Sequence, residues 1–175
     1  FEYACRILDI EQVPELFIQN QPYFNAYAMG TERYSIVLTS SLVDAVSEDE
    51  LLAVIGHELG HIKCEHMLYK TVSHVLALFG MELIREMVPG IGQAAGIAIG
   101  YAMTSWARKA ELSCDRAALL VAQDVSVVSR LTMLLAAGSR KIIPELNVEE
   151  VHRQAEDLED MENTILGKLF QLQEL

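Results

Sequence analysis

Residues 47–66 read SEDELLAVIGHELGHIKCEH, and they leave little choice of local structure. Ser47 followed three residues on by Glu50 is a capping-box pattern, and Asp49 adds negative charge to the first turn. Apolar residues then recur at helical spacing: Leu51, Leu52, Val54, Ile55, Leu59 and Ile62. The helix is expected to continue through Leu68 and beyond, toward Gly80 or Met87. Within it His57 and His61 stand four apart and share one face, a turn apart. Ionisable groups on an apolar helix are costly to bury unless something compensates them. A divalent cation does so. Two imidazoles so placed both reach one tetrahedral zinc ion, and Glu58 reaches the open position of that metal without being a ligand. There it takes a proton from water and later gives it to a leaving amine.

Two ligands are too few for such a site. One local pattern for the third is a histidine six residues after His61, with a glycine three after it. Met67 and Cys64 hold those positions, so that subclass is excluded. His66, five residues after His61, is expected to face away from the pair on a continuous helix. The third ligand must therefore come from elsewhere. A helical ExxxD can supply it, because its Glu binds metal while its Asp, on the same face, hydrogen-bonds a ligand imidazole. Glu156 to Asp160 fits the spacing but lies on a solvated acidic face, AEDLEDMEN. Glu111 to Asp115 lies in ARKAELSCDRAALL, on a helix expected to pack closely on HELGH through the small residues Gly60 and Ala118. Glu111 is the preferred third ligand of one zinc per chain, with Asp115 as the partner of a ligand histidine.

The rest of the chain predicts an α+β, helix-rich fold with a small antiparallel sheet and a long helical hairpin. Residues 13–40 carry aromatic and β-branched residues broken by Pro, Asn and Gly, which fits two or three short strands with a hairpin turn near Gly30-Thr31. Pro89-Gly90 is the strongest break. A second long helix is expected from Ile91 to about Ala122, ending near Asp124. An apolar helix follows over Val127–Gly138. Pro144 breaks again, Asn147 with Glu150 caps another start, and an acidic amphipathic helix runs to Leu175. A single domain over 1–175 is expected, with a catalytic core at about 13–123 and a helical part at 124–175.

Composition narrows the partners. The formal net charge is −12, and the 13 Lys and Arg residues form no run, so nucleic acid is not expected. Three cysteines are no disulfide framework and suit a reducing compartment. The chain opens on Phe1 rather than Met, as expected for a fragment of a longer protein. Met87 to Ala107 is uncharged and about as long as a bilayer span, with glycines every fourth residue from Gly92 to Gly100. Pro89, Gln93, Thr104 and Ser105 interrupt it, so a soluble helical hairpin rising beside the active site is expected rather than a span, with membrane contact or self-association through the apolar hairpin 75–106 as the alternatives. A cytoplasmic or membrane-associated location follows.

NAYAMG, then SIVLTSSLVDAVSEDELLAVIGHELGHIKCEH, then ARKAELSCDRAA resemble the gluzincin metallopeptidases that include the heat-shock protease HtpX and the CAAX prenyl proteases. The resemblance runs from about Tyr23 to Leu119. It implies a zincin-like zinc endopeptidase with His57, His61 and Glu111 on the metal, Glu58 as base and acid, and Asp115 behind a ligand histidine. It also implies that Asn25, Ala26 and Tyr27 form an edge strand above the metal, able to pair with an extended peptide or unfolded protein. Many members carry a His-Pro element and a following Arg near the C-terminus, and SRKIIPELNVEEVHRQ has neither in that form. His152 and Arg153, then Tyr27 and Tyr101, are candidates for the missing oxyanion helper. The competing readings are a catalytically weak zincin that holds a protein partner and a zinc hydrolase for a non-peptide amide.

Overall fold

The computed structural model of the chain describes residues 1–75, 91–147, 149–150 and 153–154. Two compact units are present: Phe1–Lys70 with Ala110–Pro144, and Thr71–Lys109 with Glu145–Leu175. Every residue expected to bind metal or substrate lies in the first.

That unit opens with a short helix, α1 (Glu2–Ile7), whose Ala4 and Cys5 enter the core. At six residues it is too short to show a helical period in sequence. Three strands follow: β1 (Glu15–Gln19), β2 (Ala26–Met29) and β3 (Ser35–Thr39). Their order is β1-β3-β2. β2 and β3 form the expected hairpin, with Gly30 at φ 104°, where a Cβ would stand 2.0 Å from the Arg33 carbonyl oxygen. The expectation of an antiparallel sheet fails at β1, which pairs parallel to β3, Phe17 opposite Val37. The sheet is mixed because the chain carries β2 to the far side of β3. Strand propensity marks a segment as extended but does not choose its neighbour.

Beyond β3 come α2 (Ser40–Ala45) and α3 (Glu48–Lys63). The capping box at Ser47 and Glu50 forms in both directions. The expected continuation of α3 does not occur. Cys64 closes it, Glu65 adopts φ 53°, and α4 (His66–Val75) starts in a new direction. A left-handed Glu carries none of the Gly signal that marks most such ends. α5 (Ile91–Ala122) matches its expected bounds. Asp124 then caps α6 (Val125–Ala137) by accepting from the Ser126 N–H at 2.8 Å, and left-handed Gly138 ends it. α6 lies against α3 and buries Val127, Leu131 and Leu134. Residues 76–90 and the segment after 154 are outside the described residues, so the tip of the expected hairpin and the acidic C-terminal helix fall there. Among the described residues no helix is long and apolar enough to cross a membrane.

Ile36, Leu38, Leu42 and Leu59 are almost wholly buried and join the sheet to α3. A carboxylate, Glu50, shares that interior. Glu50 is 2% exposed, accepts from the Ser47 N–H at 2.8 Å, pairs with the Arg140 guanidinium and lies 3.9 Å from Arg130 Nε. Burial alone raises its carboxyl. The Ser47 N–H and then Arg140 outweigh that and hold it below its ordinary 4.5. A depressed carboxyl contributes stability that is complete above its unfolded value and is lost as pH falls through the folded one. Glu50→Gln should therefore lower stability at pH 7 by about 1–3 kcal/mol, the range for a buried charged hydrogen bond. The difference from the parent should shrink on acidification below about pH 4.5, the ordinary value of the group. Thermal melts from pH 7 to pH 3 measure this, and equal melting at pH 7 would refute it.

Candidate metal centre and cleft

The centre is set by how closely two helices approach. A Cβ built on Gly60 would lie 3.0 Å from both Cys114 Cα and Ala117 Cβ, and one on Gly56 would lie 2.9 Å from Val121 Cβ and 3.1 Å from Ala118 Cα. Gly60 thus faces Cys114 and Ala117, and it is Gly56 that faces Ala118. Two glycines one turn apart let α3 lie almost backbone to backbone on α5. His57 and His61 flank this seam on α3, and Glu111 and Asp115 flank it on α5.

The distances follow. His57 Nε2 is 3.2 Å from Glu111 Oε2, and His61 Nε2 is 3.7 Å from the same oxygen. Bonds of about 2.0–2.1 Å in a tetrahedron place neighbouring ligand atoms roughly 3.3–3.4 Å apart, so these separations fit one zinc-sized cation. His57 Nδ1 donates to Asp115 Oδ1 at 3.1 Å. Glu58 is 6% exposed, whereas the Glu111 and Asp115 side chains are 49% and 56% exposed. The Glu111 and Asp115 carboxylates therefore stand at the accessible rim, and of the carboxylates at this site the buried one is Glu58.

Burial works against a proton on His57. The Asp115 hydrogen bond and the charges of Glu58, Asp115 and Glu111 outweigh it and raise the His57 pKa. Both ring nitrogens face carboxylate oxygens, which favours a proton on each. A cation taken up between Nε2 and Glu111 displaces one of them. Three carboxylates around two imidazoles leave net negative charge that a divalent cation neutralises.

Donor atoms of His57, His61 and Cys114 also lie within 4.8 Å of one another. Two observations favour Glu111 over this thiol. Cys114 Sγ lies 3.5 Å from His66, which sits on the Nδ1 side of His61, away from the Nε2 facing Glu111. Cys114 is also fully buried, whereas Glu111 stands at the accessible rim of the cleft.

His66 is the residue that sequence reasoning misplaced. It does not face away. It is 6% exposed, with Nδ1 3.1 Å from His61 Nδ1. The expectation assumed one continuous helix, and the left-handed turn at Glu65 swings His66 back beneath His61.

β2 ends the sheet and stands over the centre. Ala26, Tyr27 and Ala28 line a cleft of about 230 Å³ with His57, Glu58, His61, Met67 and Glu111. Asn25 is fixed by Thr39, whose Oγ1 accepts from the Asn25 N–H at 3.0 Å. A second cavity of about 400 Å³ opens beside His57 and Glu58, and Leu42, Val54, Val128, Leu131 and Leu135 make it largely apolar. Of the expected oxyanion helpers, the Tyr27 hydroxyl donates to Gln19 at 3.4 Å and Arg153 pairs with Glu150, Nε to Oε2 at 3.0 Å. His152 lies outside the described residues. Tyr101 belongs to the second unit.

A small sheet over a helix carrying HExxH, with an acid from a second helix beside it, defines a zincin-like metallopeptidase domain. The chain belongs to peptidase family M48, whose model matches residues 5–161. It is 39% identical over 166 residues to the plastoglobule-localized metallopeptidase 48 of the Arabidopsis thaliana chloroplast, covering 94% of this chain and 46% of that protein. It is 50% identical over 52 residues to a protease HtpX homolog of Helicobacter pylori, covering 29% of this chain and 17% of that one. A homolog from Caldanaerobacter subterraneus is 34% identical over 85 residues, covering 45% and 28%. The chain spans less than half the length of these curated relatives. No solved structure matches it.

Gly60→Ala tests the seam. Removing the glycine gains about 1 kcal/mol of helix propensity, but overpacking the contact costs about 1–3 kcal/mol, so the variant should melt lower. It should also bind zinc more weakly, because the helices must part. A Gly60→Ala protein that melts higher and binds zinc equally would refute the close approach.

Proposed function

We propose that this domain is a zinc-dependent endopeptidase acting on extended segments of protein. The observation that carries the reading is the meeting of His57 Nε2, His61 Nε2 and Glu111 Oε2 at separations suited to one tetrahedral cation, with buried Glu58 beside them. His57, His61 and Glu111 would hold the zinc, which when bound supplies Lewis acidity toward a water and the scissile carbonyl. Asp115 takes the hydrogen bond from His57 Nδ1 and so keeps Nε2 free for the metal. Glu58 takes the proton from the attacking water and delivers it to the leaving nitrogen.

The outer edge of β2, from Asn25 through Tyr27, offers backbone groups to a peptide lying antiparallel or parallel to it. That mode demands an extended chain, which unfolded protein provides. The apolar cavity next to Glu58 suits a bulky apolar side chain beside the scissile bond. A protein that merely held a partner through zinc would not need an acid at the metal's open position, since structural zinc sites are closed by a fourth protein ligand.

Glu58→Gln should retain one zinc per chain and lose about 10²–10⁴-fold in peptide hydrolysis, the usual worth of a general base. Metal analysis and mass mapping of products from denatured protein check this. Undiminished cleavage with zinc retained would refute the mechanism, and a parent that binds zinc but cleaves nothing would favour the partner-holding module. Because zinc would bridge α3 and α5 only in the folded chain, chelation should lower the melting temperature. A free zinc level 100-fold above Kd corresponds to about 2.7 kcal/mol. Identical melting before and after verified metal loss would contradict a bridging ion.

A further inference from the structure

We infer that His66 is the positioning residue for His61, accepting the His61 Nδ1 hydrogen as Asp115 accepts that of His57. The inference rests on the reading of His61 as a metal ligand. An imidazole that binds through Nε2 carries its hydrogen on Nδ1, and that hydrogen fixes the ring's orientation only if it has an acceptor. His66 Nδ1 stands 3.1 Å from His61 Nδ1, with the rings edge-on at 77°. Both rings are buried, His61 at 8% and His66 at 6%, so an unmet N–H there would be costly.

The tautomer follows from that contact. His66 must present a bare Nδ1 and carry its hydrogen on Nε2. The Cys114 thiol, 3.5 Å from the same nitrogen, is a weak donor and competes poorly with the imidazole N–H. The two ligand histidines are thus held by unlike acceptors from different elements: a carboxylate on α5 for His57 and a neutral imidazole at the first position of α4 for His61. A neutral acceptor orients His61 without adding a further charge to a site that already holds three carboxylates.

The test uses the full chain and zinc alone. Zinc affinity is measured by chelator competition for the parent, His66→Leu, His66→Gln and Cys114→Ala. His66→Leu should bind zinc roughly ten- to a hundredfold more weakly, the usual effect of losing such a partner. His66→Gln, which restores a carbonyl acceptor, should recover most of the loss. Cys114→Ala should bind as the parent does, and the cobalt-substituted parent should lack a thiolate-to-cobalt charge-transfer band. His66→Leu should shift the visible cobalt bands and His66→Gln should return them close to the parent's, a pattern that a merely structural histidine would not give.

A parent that binds zinc together with a His66→Leu protein that binds equally overturns this inference alone. A parent that holds no zinc overturns the metal centre and this inference with it. Should His66→Leu fail to fold, nitrogen-15 NMR of the zinc-loaded parent decides the matter. A hydrogen on His66 Nε2 and none on Nδ1 supports the inference, and the opposite tautomer overturns it.

Discussion

The near-contact of α3 and α5 governs the rest of the site. Backbones approach this closely only where side chains are missing, and Gly56 and Gly60 remove them at two successive turns. The residues flanking those glycines are then brought to fixed separations. Histidines on one helix meet carboxylates on the other because the seam between them is nearly bare. A wider seam would still bury apolar surface and still fold. It would not keep His57 Nε2 and His61 Nε2 at 3.2 and 3.7 Å from Glu111 Oε2.

A second constraint is the break after α3. Glu65 in a left-handed conformation carries a cost that a glycine would not, and it persists because the surrounding structure imposes it. What it achieves locally is the return of His66 to a buried position under His61. Helix, turn and helix therefore present one continuous set of imidazoles, His57, His61 and His66, with ring centroids 5.1 and 5.2 Å apart in sequence order.

The sheet contributes through its edge rather than its face. β3 is central and buried, β1 is exposed along its whole length, and β2 lies at the rim above the histidines. Among the described residues β2 pairs on one side alone, so its other edge, lying next to His57, Glu58 and His61, has backbone groups of the kind that an extended peptide can match and a small amide cannot. Glu50, buried with Arg140 at the other end of α3, anchors the start of the helix that carries the histidines.

Much of this was legible in the sequence because it depends on short-range spacing. The Ser47 cap, the i,i+4 histidines, the bounds of α5, the hairpin at Gly30 and the ExxxD on a small-residue helix are all local patterns. The resemblance carried by NAYAMG, HELGH and AELSCDRAA pointed to the family to which the chain belongs. What the sequence did not determine was non-local or unmarked. The parallel partner of β1 depends on which edge of β3 was free. The exposure of Glu111 and Asp115 depends on where the cleft opens. The place of His66 depends on a left-handed residue that is not glycine. Periodicity fixes which residues share a face of one element, but only packing decides which faces meet, because that choice is made by buried area and backbone approach between segments far apart in the chain.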